Sequence, residues 1–388
     1  MLRKTWRKAS NADNRKKLSI FIFTMILGLF AYGYAFVNFV PAHDGIMTVT
    51  HDQSWQTALG RGLMQVYVQL RGTVNAPWLI GMLTLIYTAV AVYLTDVLLG
   101  ISEELWKEFI ISSVYVLNIS YICSAAVYIY LLDIYAMALL LAVLAVYLFE
   151  KIPNIIVGIV LSSIVLSLSM GLYQSYFAVA IALFIISFIK RTVTEKYKIS
   201  DMLIYALQEL GTVVIGAGLY AGTMKLIQFI THVEPYDSYN SVTNLSKLSL
   251  RSILELIPEC YKSFFSFFFR SQQYSNKLFT VINVFLLVIA IVAYIYIIIH
   301  MNSIGNRIIL LLAIAIFPLG ANCIYILSSG MIHYLMVYSY QMFYILLLMP
   351  ILRGSFHLGS FKIGGGYWKP LDYWGYSCFI TCDNKIFK

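Results

Sequence analysis

LSIFIFTMILGLFAYGYAFVNFV, residues 18–40, runs for 23 positions without a charged side chain. At a rise of about 1.5 Å per residue such a helix is roughly 34 Å long, enough to cross the ~30 Å hydrocarbon layer of a bilayer. In lipid every backbone amide must find its partner inside the protein, so a run of this kind is read as α-helix. The chain repeats the pattern. Trp78 to Leu99, Phe109 to Ile129, Ile134 to Phe149, Ile155 to Met170 and Phe177 to Ile189 are read as further spans, several of them short and so little tilted. Met202 to Ile230, Phe279 to Ile299, Ile308 to Ile326 and Met331 to Leu352 follow. The expected fold is an all-α polytopic membrane bundle of about ten transmembrane helices. Composition agrees: the 388 residues are 60% hydrophobic and 12% charged, with a mean hydropathy of +0.79, which is more apolar surface than one soluble core can hide.

Basic residues set the expected orientation. Arg3, Lys4, Arg7, Lys8, Arg15, Lys16 and Lys17 precede the first span with only Asp13 against them, so residues 1–17 read as a cytoplasmic N-terminus. Counting alternately from there, Lys151, the group Lys190, Arg191, Lys196 and Lys198, and Arg307 also fall on the cytoplasmic side. The net charge of +9 then reflects topology and an anionic inner leaflet, and gives no reason to invoke nucleic acid. No small-residue cleavage site lies close behind the first apolar run, which reads as a retained helix rather than a signal peptide. Residues 18–352 form the multi-span domain, with two longer outer segments, 41–77 and 231–277.

Several chemistries find no footing in the sequence. Neither a GxxxxGK loop nor a GxGxxG turn occurs. Cys123, Cys260, Cys323, Cys378 and Cys382 are an odd, scattered set, and His43 and His51 share a loop without zinc-like spacing, so no disulfide framework, metal or cofactor is expected.

The first outer loop is the most informative stretch: His43-Asp44-Gly45, then Asp52, Gln53, Ser54 and Trp55, then Gly60-Arg61-Gly62. Trp55, Leu59, Leu63, Val66 and Leu70 recur at helical spacing, with Arg61, Gln65 and Gln69 on another side. This is the pattern of a helix lying in the outer interface at headgroup depth, where the phosphate of a lipid carrier sits. Asp44 is placed to take a proton from an attacking hydroxyl, although Asp-Gly also suits a turn. Asp52 is a second acid there, or the N-cap of the following helix. The planar fork of Arg61 matches a phosphate, or headgroups generally.

Asp133 lies at the next outward turn amid Tyr128, Leu131, Leu132, Ile134, Tyr135 and Ala136, where an acid is costly and function is its default reading; capping the following helix is the alternative. Tyr173-Gln174, within Ser169 to Ser175, occupies the turn after that, as a substrate contact or a helix-end anchor. Polar elements from three turns are therefore expected on one membrane face. Asp96 and Glu209 fall near cytoplasmic ends, and Lys225 near an outer end where it can snorkel. The outer segment with Phe264, Phe265, Phe267, Phe268 and Phe269 reads as lying on lipid, covering a site or the bundle.

In their order and spacing these stretches resemble the bacterial GtrII-type glucosyltransferases of the GT-C class of membrane glycosyltransferases, over roughly residues 15 to 350. The resemblance rests on His43-Asp44-Gly45, Asp52 to Trp55 with Gly60-Arg61, Asp133 to Leu140, Gly171 to Ser175, Pro318, Asn322 and the His333 to Tyr338 region. It implies a GT-C-like bundle that transfers a glucosyl or other hexosyl group, with inversion, from an undecaprenyl-phosphate carrier to a surface polysaccharide such as O-antigen. The location implied is the outer face of the bacterial cytoplasmic membrane, with a donor synthase and a flippase as partners. It implies that Asp44 is the base, with Asp52 in reserve, and that Arg61, Trp55, Asp133, Tyr173 and Gln174 serve the substrates. Residues 353–388, rich in Gly, Tyr and Trp and too polar to span, depart from the further hydrophobic segments expected of relatives, so a truncated or frame-shifted end is the expectation. The rival reading is a transporter or flippase of lipid-linked sugars, which calls for repeated halves and broken helices with midplane charges. A non-catalytic scaffold would leave the outer acids without a role.

Overall fold

The computed structural model describes residues 2–38, 55–101, 103–194, 198–236, 250–270 and 277–354. The chain begins with α1, Leu2–Val37, whose apolar part from Asp13 is the first candidate span. Two short helices, α2 Trp55–Ala58 and α3 Gly62–Arg71, lead to α4, Pro77–Leu99. Pro77 opens α4, where a missing amide hydrogen costs nothing, and Gly100 closes it in the left-handed region at φ +66°. Next come α5 Leu105–Val116, α6 Ile119–Val127, α7 Leu132–Lys151, α8 Ile155–Leu172, α9 Phe177–Thr194 and α10 Ile199–Thr231. Beyond them lie α11 Leu250–Phe269, α12 Lys277–His300, α13 Ile304–Ala321, α14 Cys323–Leu327 and α15 Gln341–Leu352. The described residues contain no β-sheet, and the fold is an all-helical polytopic membrane bundle.

Eight of these helices are long and apolar enough to cross a bilayer. The run read as 109–129 is not one straight helix: α5 and α6 meet at a 48° bend and make a ninth crossing only as a pair. Asn118 makes the break, capping α6 through Oδ1 to the Tyr121 amide and donating 2.7 Å to the Tyr115 carbonyl. The freed backbone acceptors also receive donors from distant segments. Tyr32 donates to Val116 O and Tyr338 to Tyr115 O, each at 2.7 Å, which is how a broken helix is tolerated inside a bundle. The run read as Met331 to Leu352 is helical only as the shorter apolar segment Tyr338–Leu352, which at about 1.5 Å per residue falls short of a bilayer. Positive φ angles at Ser329 and Gly330 turn the chain first, and residues 334–336 then pack on α6, where Ser120 donates to Tyr334 O.

The centre of the bundle is α7. In its most apolar window 78% of residues are buried, against 28% for α1, α10 and α12, whose faces are left to lipid. Fully buried alanines at 136, 138, 142 and 145 let α4 and α8 approach it closely. Several basic residues collect at one end of the bundle. There Lys16 pairs with buried Asp96 at 2.6 Å and donates to Ile101 O, Ser19 bonds Glu108, Lys190 donates to Leu98 O, and Arg191 meets Glu150 at 3.4 Å. Asp96 is thus the partner of a residue from the basic N-terminal segment. The segment read as lying on lipid is α11, and it packs inward: Phe264 and Phe268 are buried against Phe343 and Tyr340. Its charged pairs Arg251–Glu255 and Glu259–Lys262 stay exposed.

Candidate functional site

At the end of the bundle opposite the basic cluster, the chain from α2 to α3 makes a turn that only glycine suits. Gly60 has φ +77°, and a Cβ there would lie 2.7 Å from the Tyr220 hydroxyl and 2.9 Å from Gln174 Nε2. The turn is held by backbone bonds from Leu59, Gly60 and Arg61 back to Gln56 and Thr57. It is also held from outside. Tyr220 of α10 donates to Gly60 O at 2.9 Å, Gln174 Nε2 donates to Leu59 O at 2.7 Å and to Tyr220 at 3.0 Å, and Gln228 donates to Thr57 O at 3.0 Å.

This frame presents Arg61. Its Nε donates to Gln174 Oε1 and its Nη1 to Gln56 Oε1, both at 3.1 Å, and the guanidinium lies 4.5 Å over the Tyr173 ring. Tyr173 packs in turn on Tyr135 at 4.6 Å. Among the described residues Arg61 has no carboxylate within ion-pair distance, and its Nη2 has no hydrogen-bond partner. A guanidinium held on one edge and one face, with its remaining donors uncommitted among the described residues, has the geometry that suits an anion.

The structure brings Arg61, Tyr173 and Gln174 together. Trp55 begins α2 nearby but is exposed, as are Val66 and Leu70, so these three positions of the apolar stripe read from spacing face outward, while Leu59 and Leu63 are half-buried and Met64 and Val68 are buried. The expected interfacial helix is also divided in two by the Gly60 turn.

Asp133 belongs to a different cluster. It is fully buried and paired with Arg71 at 2.7 Å; Tyr67 donates to its other oxygen at 3.0 Å, and its own helix supplies the Ile134 amide. Burial, and then the charge of Asp133, push the Tyr67 hydroxyl far above the usual tyrosine range and keep it a donor. The sequence reading missed Arg71 and Tyr67, although their spacing of four along a helix was visible, and it missed Tyr220 and Gln56, which carry no local signal.

Asp44, Asp52 and His43 lie outside the described residues. They belong to the segment joining α1 to α2, and both helix ends are at this end of the bundle. Among the described residues no three His, Cys, Asp or Glu side chains gather as metal ligands would, and Cys123, Cys260 and Cys323 are unbridged.

The molecule is therefore an integral membrane protein with an arginine-centred polar site at one end of its helix bundle. Its family is shown by sequence comparison. The family described as Glucosyl transferase GtrII matches residues 33–349, and the chain belongs to it. That membership makes it a membrane glycosyltransferase of the glucosyltransferase kind, and the matched region contains every candidate residue named above. No curated protein and no solved structure matches the chain.

Proposed function

We propose that the protein transfers a glucosyl, or other hexosyl, group from an undecaprenyl-phosphate-linked donor to a surface polysaccharide. The site would face outward from the bacterial cytoplasmic membrane, with the basic end of the bundle inside. The observation that carries this reading is Arg61: a cation held by Gln56, Gln174 and Tyr173, without a counter-ion among the described residues, at the end where consecutive helices emerge. A lipid-phosphate sugar leaves one phosphate anion behind when its sugar is taken, and a fixed guanidinium stabilises the charge that develops there.

In the proposed reaction the acceptor hydroxyl oxygen attacks the anomeric carbon. The bond from that carbon to the phosphate oxygen breaks, the lipid phosphate departs as an anion beside Arg61, and Asp44 takes the hydroxyl proton. Attack opposite the leaving group inverts the anomeric configuration. Asp52 is the reserve base and Trp55 an interface contact for the carrier. Because the donor must be made and delivered to the outer face, a donor synthase and a flippase are the expected partners. Against a transporter stands the placement of charge: the buried ion pairs Lys16–Asp96 and Arg71–Asp133 sit at opposite ends of the bundle, not across a midplane pathway.

The test is donor-dependent transfer by reconstituted protein carrying Arg61→Gln. Losing one charge-assisted phosphate contact of about 1.5–3 kcal/mol should lower kcat/KM for the lipid donor about 10- to 100-fold while insertion stays normal. Wild-type kinetics in that variant would refute the phosphate role. Sugar moved across the bilayer but still attached to lipid would favour the transporter.

A further inference from the structure

We infer that Arg71 and Asp133 are positioning residues, which fix the tilt of α3 and through it the placement of Arg61, rather than substrate contacts. The inference rests on the reading of Arg61 as the phosphate-binding cation. Four observations carry it.

First, the pair is closed to substrate. The Arg71 side chain is 2% exposed and that of Asp133 0%. Asp133 Oδ1 accepts from Arg71 Nη1 and the Ile134 amide, and Oδ2 accepts from Tyr67. A sugar hydroxyl can reach neither oxygen without first opening the ion pair.

Second, the pair anchors one end of the element whose other end is the site. Arg61 immediately precedes α3 and Arg71 is its last residue, about 15 Å further on. Tyr67 and Arg71, one helical turn apart, grip the same carboxylate of α7, and Tyr67 also meets Tyr87 of α4 at 3.3 Å.

Third, the backbone turn at Gly60 fixes only the start of α3, and its far end is held by side chains. Glycines with positive φ flank it: Gly60 at +77° and Gly72 at +108°, the latter with open space around its Cβ position. Contacts along the helix set its orientation. At its start Gly62 N donates to Met224 Sδ at 3.4 Å, along its length Met64 and Val68 are buried and Leu63 lies against Gly171, and at its end the Arg71–Asp133–Tyr67 cluster supplies the polar contacts.

Fourth, the chemistry suits a register device. A buried ion pair contributes little net stability compared with apolar packing, but removing one partner leaves the other charged and uncompensated, so the docked geometry is chosen sharply over neighbouring ones.

The experiment is a double-mutant cycle on sugar transfer from synthetic undecaprenyl-phosphate glucose, using full-length reconstituted protein at matched insertion levels: Arg61→Gln, Asp133→Asn and the two combined. Asp133→Asn alone should lower kcat about 10- to 100-fold, as a displacement of Arg61 by about 1 Å would. In the Arg61→Gln background it should cost less than about threefold more, because its effect passes through Arg61. Asp133→Glu, which keeps the charge, should recover most of the rate. Multiplicative losses would show that Asp133 touches substrate and would overturn the inference; so would full activity of Asp133→Asn. Wild-type kinetics in Arg61→Gln would instead remove the phosphate reading on which the inference rests. If Asp133→Asn does not insert, Tyr67→Phe replaces it in the same cycle, with a several-fold loss expected alone and none in the Arg61→Gln background. Equal losses in both backgrounds would overturn the inference.

Discussion

Arg61 is held by residues that are far apart in sequence and whose own positions depend on one glycine. Gly60 has φ +77°, and its backbone is bonded by Tyr220. Gly60→Ala should therefore cost about 1 kcal/mol for the left-handed backbone alone, and the new methyl would push the Tyr220 hydroxyl or Gln174 away. The expected result is a modest fall in thermal stability in detergent and a larger fall in transfer, read from an unfolding curve and an activity assay on the same preparation. Equal activity would mean that the turn tolerates displacement and that Arg61 does not depend on it. Part of this site was legible in the sequence. Arg61, Tyr173 and Gln174 stood out as polar residues at the edges of apolar runs, where lipid-facing chemistry makes polarity conspicuous. Arg71 as the partner of Asp133 was not legible, because the ion pair joins positions 62 residues apart. Tyr220 sits inside an apolar helix, where a tyrosine attracts no notice.

Among the helices, the α5–α6 break shows how apolar patterning misleads. Lipid-compatible composition continues through Asn118, so residues 109–129 read as one span, while hydrogen bonding at the bend is completed by Tyr32 and Tyr338. Those partners make the bend a defined feature. Tyr32→Phe and Tyr338→Phe should each destabilise the protein by about 1 kcal/mol, the loss of one buried hydrogen bond, because Asn118 still donates to both acceptors, from its backbone amide to Val116 O and from its side chain to Tyr115 O. Two unchanged melting temperatures would mean that water fills the gap. The last apolar run reads as one span for a related reason. Hydropathy counts residues but does not see the positive φ angles at Ser329 and Gly330 that turn the chain before Tyr338.

The membrane class was legible throughout, since lipid leaves a long apolar segment little choice but helix, and eight helices meet that description. The orientation proposed from the basic residues has its own test. In a cysteine-free background, Glu234→Cys, just past α10, should react with an impermeant thiol reagent added outside intact cells, and Lys151→Cys, at the other end of α7, should react only after permeabilisation. The reverse pattern would invert the bundle and place the Arg61 site in the cytoplasm.

Sugar transfer from a lipid phosphate is the proposed activity of the polar end of this bundle. Its most direct test is product formation from synthetic undecaprenyl-phosphate glucose and purified surface polysaccharide by reconstituted wild type beside Asp44→Asn. Labelled polysaccharide is expected from the wild type, with a loss of about 10²- to 10⁴-fold in the variant, the contribution of a general base. Equal product from both would contradict the assignment of Asp44, and no product from the wild type would contradict the donor and acceptor proposed here.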